Sequence, residues 1–112
     1  NRISFLFTGD IGQETEMRLV SRRAGLECTV LKVAHHGSST STCGEFLQVS
    51  RPQLAVISAG TDNPFGHPQD EVIARLQACL GPGERIYRTD RHGTIEFISD
   101  GEKLRVKTGQ TR

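Results

Sequence analysis

The sequence has no tryptophan and a single tyrosine, and its charges nearly cancel. With so few large aromatic residues, aliphatic side chains have to fill the interior, and a chain of 112 residues can bury only a modest core. Lysine and arginine number 14 against 13 aspartates and glutamates, which gives a formal net charge of +1. Because the charges nearly balance, net charge alone gives no reason to expect nucleic-acid binding.

Cysteine is scarce, and long apolar runs are missing. Cys28, Cys43 and Cys79 are widely spaced and include no Cys-x-x-Cys pair, which argues against a disulfide framework and a thiolate zinc site. We expect all three to be small, partly buried hydrophobic residues. No stretch is long and apolar enough to span a bilayer, and no secretory signal opens the chain. The composition, 35% hydrophobic and 24% charged, is typical of one globular domain or part of one.

Apolar runs alternate with amphipathic segments along the first 80 residues. Residues 3–7, 29–34 and 54–59 are rich in β-forming side chains and end abruptly, which predicts buried strands. Helical patterns lie at 14–23, from a capping-box sequence at 42–45 to about residue 49, and from Pro68 to residue 80. Residues 86–88, 94–98 and 103–107 are short strand patterns separated by turn sequences. The predicted order is β-α-β-α-β-α-β-β-β, an α/β layered arrangement with a terminal meander.

Three loops, at residues 8–10, 35–38 and 66–68, follow the predicted buried strands. Binding residues gather beyond the carboxyl ends of the strands in α/β sheets, so these loops are expected to share one edge. They contain Asp10, Ser38 and three of the four histidines. Carboxylate and imidazole are suitable ligands for Zn²⁺ or Mn²⁺, and a metal-bound water supplies hydroxide near neutral pH.

Each of these residues also has a purely structural interpretation. Asp10 follows a glycine and could cap the next helix. The pair at 35–36 could hydrogen-bond to backbone, and Ser38 could begin a turn. His67 precedes a proline and could belong to a helix-entry turn, whereas His92 lies in a predicted hairpin turn and is expected to be solvated. The prediction of a site therefore depends on the conjunction of the three loops.

Longer segments around these loops resemble a known family. The segments are Phe-Leu-Phe-Thr-Gly-Asp at 5–10, Leu-Lys-Val-Ala-His-His-Gly-Ser at 31–38, Ala-Val-Ile-Ser-Ala-Gly at 55–60, Asn-Pro-Phe-Gly-His-Pro at 63–68, and Tyr-Arg-Thr-Asp at 87–90 with Gly93. In this order they are similar to the ComEC-type branch of the metallo-β-lactamase superfamily. The resemblance covers nearly the whole chain. It implies that residues 1–112 are the C-terminal portion of a hydrolase domain with an αββα sandwich fold, and that the N-terminal metal-binding part is absent from this chain.

The resemblance also implies two divalent metal ions, Zn²⁺ or Mn²⁺, in the intact domain. Asp10 matches the aspartate that bridges the metals, and either His35 or His36 matches a ligand of the second metal; we favour His36. His35, Ser38 and His67 are then expected to contact a substrate phosphate or to assist the leaving group. The family's earlier His-x-His-x-Asp-His loop has no counterpart in this sequence. We therefore expect the chain by itself to bind metal weakly or not at all and to be inactive.

For the intact protein, the resemblance implies metal-dependent phosphodiester hydrolysis in DNA uptake during natural transformation. The implied partners are DNA and a membrane channel domain of the same polypeptide, with the hydrolase domain outside the cytoplasmic membrane. Two alternatives stay open: a stand-alone metallo-β-lactamase-fold hydrolase of another phosphoester or small molecule, and a metal-free binding or scaffold domain. Because half of a sandwich leaves apolar surface uncovered, we also expect the chain to self-associate.

Overall fold

The computed structural model of the chain describes residues 2–22, 25–60, 64, 66–81 and 84–109. The elements in this range are β1 (Phe5–Phe7), α1 (Gln13–Ser21), β2 (Val30–Lys32), a 3-10 turn (Ala34–Gly37), α2 (Gly44–Ser50), β3 (Leu54–Ile57), α3 (Asp70–Leu80), β4 (Ile86–Arg88), α4 (Thr89–His92), β5 (Ile95–Ser99) and β6 (Leu104–Thr108). The predicted mixed α/β architecture is confirmed. None of the helices in these ranges is long and apolar enough to cross a membrane.

Strands β1 to β4 form one parallel sheet in the order of the chain. Parallel neighbours need a crossover connection, and the helical segments between the strands supply it. Leu6 lies beside Leu31, which in turn lies beside Ala55, so apolar side chains of adjacent strands share a face. All four carboxyl ends therefore meet at the same edge of the sheet.

The core lies between one face of this sheet and the helices. It is built from side chains of β2, β3, α2 and α3 that are almost fully buried: Leu31, Ala55, Ile57, Phe46, Leu47, Val72 and Leu76. Half-buried residues of α1, among them Met17 and Val20, pack against the same cluster. These aliphatic contacts hold the strand ends, and the loops that follow them, in a fixed relation.

A buried carboxylate joins α1 to the start of α2. Glu16 is completely buried, and its two oxygens accept hydrogen bonds from the backbone N–H groups of Thr42 (2.6 Å) and Cys43 (3.0 Å). The capping box predicted at 42–45 was therefore wrong: α2 begins at Gly44 with Cys43 as its N-cap and no side-chain cap bond. The acceptor comes from the neighbouring helix, because tertiary packing brings Glu16 to the unpaired N–H groups.

The predicted terminal meander was also wrong. Strand β4 joins the parallel sheet, with Ile86 beside Ala55, and the single turn α4 separates it from β5. Only β5 and β6 form an antiparallel hairpin, in which Phe97 lies opposite Val106. The physical reason is that α3 returns the chain to the amino end of the sheet, so β4 enters parallel to β3.

The second face of the sheet carries exposed aromatic rings. Phe7 is 76% exposed and Phe5 37% exposed, and their rings stack with centroids 6.3 Å apart. Phe97 of the hairpin meets Phe5 edge-on at 5.9 Å and covers part of this face. An apolar surface of this kind is the feature from which we expect self-association, and the association itself stays a prediction.

Candidate functional site

The first loop, at residues 8–10, turns away from the end of β1. Thr8 is buried, and its hydroxyl donates a hydrogen bond to the Lys32 carbonyl at the end of β2. Gly9 has a left-handed φ of 58°, and its carbonyl accepts a hydrogen bond from the His35 N–H at 2.8 Å. Asp10 is exposed just before α1. The first loop is thus joined directly to the second, and its carboxylate faces solvent.

The second loop has an unusual backbone at three consecutive residues. His35 and His36 both have φ of 53°, and Gly37 has φ of 87°. Left-handed conformations are uncommon outside glycine, although histidine adopts them more readily than most residues. Such local strain persists only where the surrounding contacts determine it, and here the contacts are with the first loop, the third loop and Ser58 just beyond β3.

The His36 imidazole has a fixed orientation. Its Nδ1 lies 2.7 Å from the Ser58 carbonyl, just beyond the end of β3. A carbonyl only accepts, so Nδ1 carries the proton in this contact and Nε2 is left as the unprotonated nitrogen of the neutral ring. Metal-binding histidines commonly donate their second ring nitrogen to a backbone carbonyl in this way. His36 is also an exposed residue.

The third loop packs tightly against the second. A side-chain Cβ added to Gly37 would lie 2.5 Å from Cβ and 2.8 Å from Cα of Pro68, so only glycine fits there. The Gln69 N–H donates to the Gly37 carbonyl at 3.0 Å, and the Gln69 side-chain oxygen accepts from the Ser39 N–H. The half-buried His67 ring meets His35 edge-on at 6.1 Å.

Ser38 lies inside the turn that these contacts stabilise. Its side chain is largely buried, at 7% exposure, and its hydroxyl lies 2.8 Å from the Thr40 hydroxyl. The Ser41 hydroxyl donates to the Ile11 carbonyl, and the Gln13 N–H donates to the Thr40 carbonyl at 2.9 Å. The segment after Ser38 is thereby tied to the segment after Asp10.

The structure thus brings His35, His36, Ser38 and His67 onto contiguous loops at the predicted edge of the sheet, with Asp10 on the loop bonded to them. Within the described ranges, however, no group of three or more His, Cys, Asp or Glu side chains is placed to hold a metal ion. A metal site usually needs at least three protein ligands. The residues present can supply some of the ligands of a metal site, but they do not form a complete site.

Sequence reasoning missed several residues that position this site. The Ser58 carbonyl orients His36, and Gln69 joins two loops through its backbone and its side chain. Thr89 bridges the ends of β3 and β4, since its hydroxyl accepts from the Ala59 N–H at 2.8 Å and donates to the Ala59 carbonyl at 2.9 Å. Ser58 and Thr89 lie in the segments 55–60 and 87–90 that carry the resemblance, but no role was predicted for either residue.

The fourth histidine is not the solvated turn residue that was predicted. His92 is half-buried on α4, with Nδ1 within 3.1 Å of both the backbone N–H and the carbonyl of Arg88. Its ring lies 5.7 Å from that of Tyr87. The single turn α4 folds the ring back onto β4, which the turn sequence did not reveal.

The cysteines stay outside the site. Cys28 and Cys43 are buried as predicted, whereas Cys79 is exposed, so the prediction was wrong for that residue. Burial raises the pKa of the Cys28 thiol to about 11, and the neighbouring Cys79 thiol adds to the rise. Burial likewise raises the pKa of Cys43. A thiol whose pKa is raised stays protonated and is a poor ligand and nucleophile.

Comparison with known proteins gives relatives for most of the chain. It is 40% identical over 95 residues to "ComE operon protein 3" of Bacillus subtilis, which covers 85% of this chain and 12% of that protein. It is 39% identical over 95 residues to "Competence protein ComA" of Neisseria gonorrhoeae, covering 84% of this chain and 13% of that protein. It is 42% identical over 109 residues to "Recombination protein 2" of Haemophilus influenzae, covering 97% of this chain and 13% of that protein.

These names indicate a competence-related protein. The chain spans about an eighth of the length of the curated relatives that it matches. No protein-family model matches the chain, and no solved structure matches it.

Proposed function

We propose that this chain is part of the hydrolase domain of a ComEC-type competence protein, with the metallo-β-lactamase fold, and that the whole protein acts in DNA uptake during natural transformation. The observation that carries the proposal is the junction of the three loops at the carboxyl edge of the parallel sheet, where His36 is oriented by the Ser58 carbonyl. The relatives named for competence support the biological setting.

In this proposal Asp10 and His36 hold part of a site for two divalent ions, Zn²⁺ or Mn²⁺, together with ligands from elsewhere in the protein. Bound ions of this kind supply hydroxide near neutral pH and stabilise charge on phosphoryl oxygens. Both Asp10 and His36 are exposed, and the hydrogen bond from the His35 N–H to the Gly9 carbonyl joins their loops, which supports the assignment.

The remaining loop residues contact the substrate. His35 and His67 lie edge to face at 6.1 Å, close enough for both imidazoles to reach oxygens of one phosphate group. The Ser38 hydroxyl lies 2.8 Å from the Thr40 hydroxyl, and in this proposal it donates a hydrogen bond to the phosphate. Fixed donors aimed at developing charge stabilise a transition state without reorganisation.

The partners and location follow from the same proposal. The substrate is DNA, a channel domain of the same polypeptide passes the entering strand through the membrane, and the hydrolase domain lies outside the cytoplasmic membrane. The chain has a formal net charge of +1, so the affinity for DNA has to come from particular side chains and not from the overall charge.

The test uses a chimera in which this chain replaces the matching segment of the Bacillus subtilis relative. Transformation frequency and degradation of labelled duplex DNA are measured for the chimera and for Asp10→Asn and His36→Gln. Each change is expected to lower DNA degradation by at least about 10-fold to 100-fold, because losing a metal ligand costs no less than losing one of the groups that support it. Asp70→Asn, an equivalent change at an exposed residue of α3, is the control.

Two results would contradict the proposal. One is a chimera that fails to restore uptake although the unmodified relative supports it in the same strain. The other is unchanged degradation in both Asp10→Asn and His36→Gln.

A metal-free binding domain is the second candidate, favoured by the lack of a three-ligand group among the described residues. It predicts that both variants support uptake while deletion of the whole segment abolishes it.

A further inference from the structure

A polar cavity of about 610 Å³ lies between α3 and β4. Strand β4 is the last strand of the parallel sheet within the described residues, so this side of it has no strand neighbour there. The cavity is lined by Ile73 and Gln77 of α3, by Arg85 and Arg88, and by Arg91 and His92 of α4. None of the five residues of the candidate site lines it. The cavity is therefore a separate feature of the surface.

The lining carries more positive than negative charge. The lining has three cations, Arg85, Arg88 and Arg91, and two anions, Glu84 and Asp90. With His92 neutral, the formal charge of the lining is +1. An excess confined to one concave surface is stronger locally than the same charge spread over the whole chain, because field lines are focused in a cleft.

One of the guanidinium groups is held in a fixed position. Arg88 and Asp90 form a two-point ion pair, with Nε to Oδ1 at 3.0 Å and Nη2 to Oδ2 at 2.7 Å, and both side chains are less than a fifth exposed. This pair occupies both oxygens of Asp90. Asp90 therefore orients Arg88 and does not compete for the other cations of the lining.

Two further groups are available to a ligand. Arg91 is exposed and forms no salt bridge within the part of the chain that the structure describes. Nδ1 of His92 is occupied by the backbone of Arg88 whichever tautomer the ring adopts, so Nε2 is the nitrogen left for a ligand. A guanidinium with an imidazole beside it is well suited to phosphate oxygens.

The cavity adjoins the candidate site through the sheet. His36 contacts Ser58 beyond β3, and Thr89 bridges β3 to β4 next to Arg88. Neighbouring strands lie about 4.8 Å apart, so the ends of β2 and β4 are separated by roughly 10 Å. Along the axis of a DNA duplex, that distance corresponds to about three nucleotides of one strand, at an axial rise of about 3.4 Å each.

We propose that this cavity, lined by Arg85, Arg88, Arg91 and His92, binds the backbone phosphates of the DNA strand a few nucleotides away from the phosphate held at the loop junction. The identity of the ligand rests on the proposed function. The contacts are with phosphates, so they position the strand and carry no sequence preference.

The experiment measures binding of a fluorescein-labelled 20-nucleotide oligothymidylate to the purified chain by fluorescence anisotropy, with EDTA present so that metal ions do not contribute. Arg91→Gln is expected to weaken binding by about fivefold, the upper range for an exposed charge pair. It should also reduce the slope of log affinity against log salt by about 0.7, the value for one phosphate contact with a single strand. Arg105→Gln, at an exposed position of β6 away from the cavity, is the matched control and should bind as the unmodified chain does.

A second pair of variants tests the effect of removing a negative charge instead of a positive one. Glu84→Gln removes a negative charge from the lining and should tighten binding about twofold to fivefold. Glu102→Gln, an equal change on the exposed turn between β5 and β6, should not alter it. Circular dichroism confirms that each variant is folded, so that a loss of binding is not a loss of structure.

The proposal is overturned if the unmodified chain does not bind the oligonucleotide at low salt. It is also overturned if Arg91→Gln and Arg105→Gln weaken binding equally, or if Glu84→Gln has no effect. These outcomes are separate from the test of hydrolysis. Anisotropy that depends on Arg91, combined with full DNA degradation by the Asp10→Asn chimera, would retain the binding site and reject the metal-dependent function.

Discussion

Replacing Gly37 with alanine should damage the junction of the three loops more than replacing Gly9 or Gly66 with alanine. Gly37 is buried with a left-handed φ of 87°, and its Cβ would lie 2.5 Å from Cβ and 2.8 Å from Cα of Pro68. The Gln69 N–H that donates to the Gly37 carbonyl at 3.0 Å lies next to the same contact. The substitution therefore forces Pro68 away and lengthens this hydrogen bond.

The expected cost has two parts. A left-handed backbone costs an L-residue with a side chain about 1–2 kcal/mol. Carbon atoms are optimally about 3.5–4.0 Å apart, so Pro68 has to move by roughly 1 Å, and overpacking of this kind costs about 1–3 kcal/mol. The total is about 2–5 kcal/mol against a typical stability of about 5–15 kcal/mol for a domain of this size. At several degrees per kcal/mol, the melting temperature should fall by roughly 10 °C or more.

Two other glycine variants separate the cost of the left-handed backbone from the cost of overpacking. Gly9 has a φ of 58° but nothing within 4 Å of an added Cβ, so Gly9→Ala should show the backbone cost alone, about 1–2 kcal/mol. Gly44, the first residue of α2, has neither a positive φ nor a close neighbour, and Gly44→Ala should stabilise by up to about 1 kcal/mol. Urea unfolding followed by circular dichroism ranks the three. The reasoning is refuted if Gly37→Ala loses no more stability than Gly9→Ala.

Three further predictions concern other parts of the fold. Glu16→Ala should lower the free energy of unfolding by about 2–5 kcal/mol, because two buried backbone N–H groups lose their acceptor, and Glu16→Gln should lose less in the same urea assay; equal losses would contradict this. Burial raises the pKa of the Cys28 thiol to about 11 in the folded protein, so the contribution of this thiol to the free energy of unfolding is fully present below about pH 9 and falls as pH rises toward 11. The free energy of unfolding should fall by at most about 1.4 kcal/mol per pH unit in this range. If the urea midpoint of Cys28→Ala falls with pH as steeply as that of the unmodified chain, Cys28 is not the cause. Phe7→Lys should reduce self-association in sedimentation velocity without changing the melting temperature, because the ring is already 76% exposed; an unchanged sedimentation profile would assign the association to another surface.

Much of the local structure could be predicted because it depends on periodicity. Short apolar runs gave β1, β2 and β3, and the spacing of Val72, Leu76 and Leu80 gave α3, whose buried face carries these residues. The loops at 8–10, 35–38 and 66–68 could be placed at one edge, since parallel strands have a common direction. The resemblance at these loops supplied the assignment of Asp10 and His36, which the structure alone would not have singled out.

What failed was the placement of residues that meet across long sequence separations. Glu16 reaches Thr42 from 26 positions away, Thr89 reaches Ala59 from 30 positions away, and β4 pairs with β3 after an intervening helix. Local patterns carry no information about such partners, so the capping box and the meander were the best local interpretations and were both wrong.

The sequence by itself determined which segments are strands and helices and which loops carry the carboxylate and imidazole groups, because side-chain periodicity and turn residues act within a few positions. Only the tertiary structure decided how those groups are oriented. The left-handed pair at 35–36 is held by contacts with Gly9 and Ser58, and Gly37 is required by the approach of Pro68. The ring of His92 turns back onto β4, where it borders a cationic cavity. The first two features arise from packing between elements distant in the chain, which exists only once the sheet has formed, whereas His92 contacts Arg88 only four positions away.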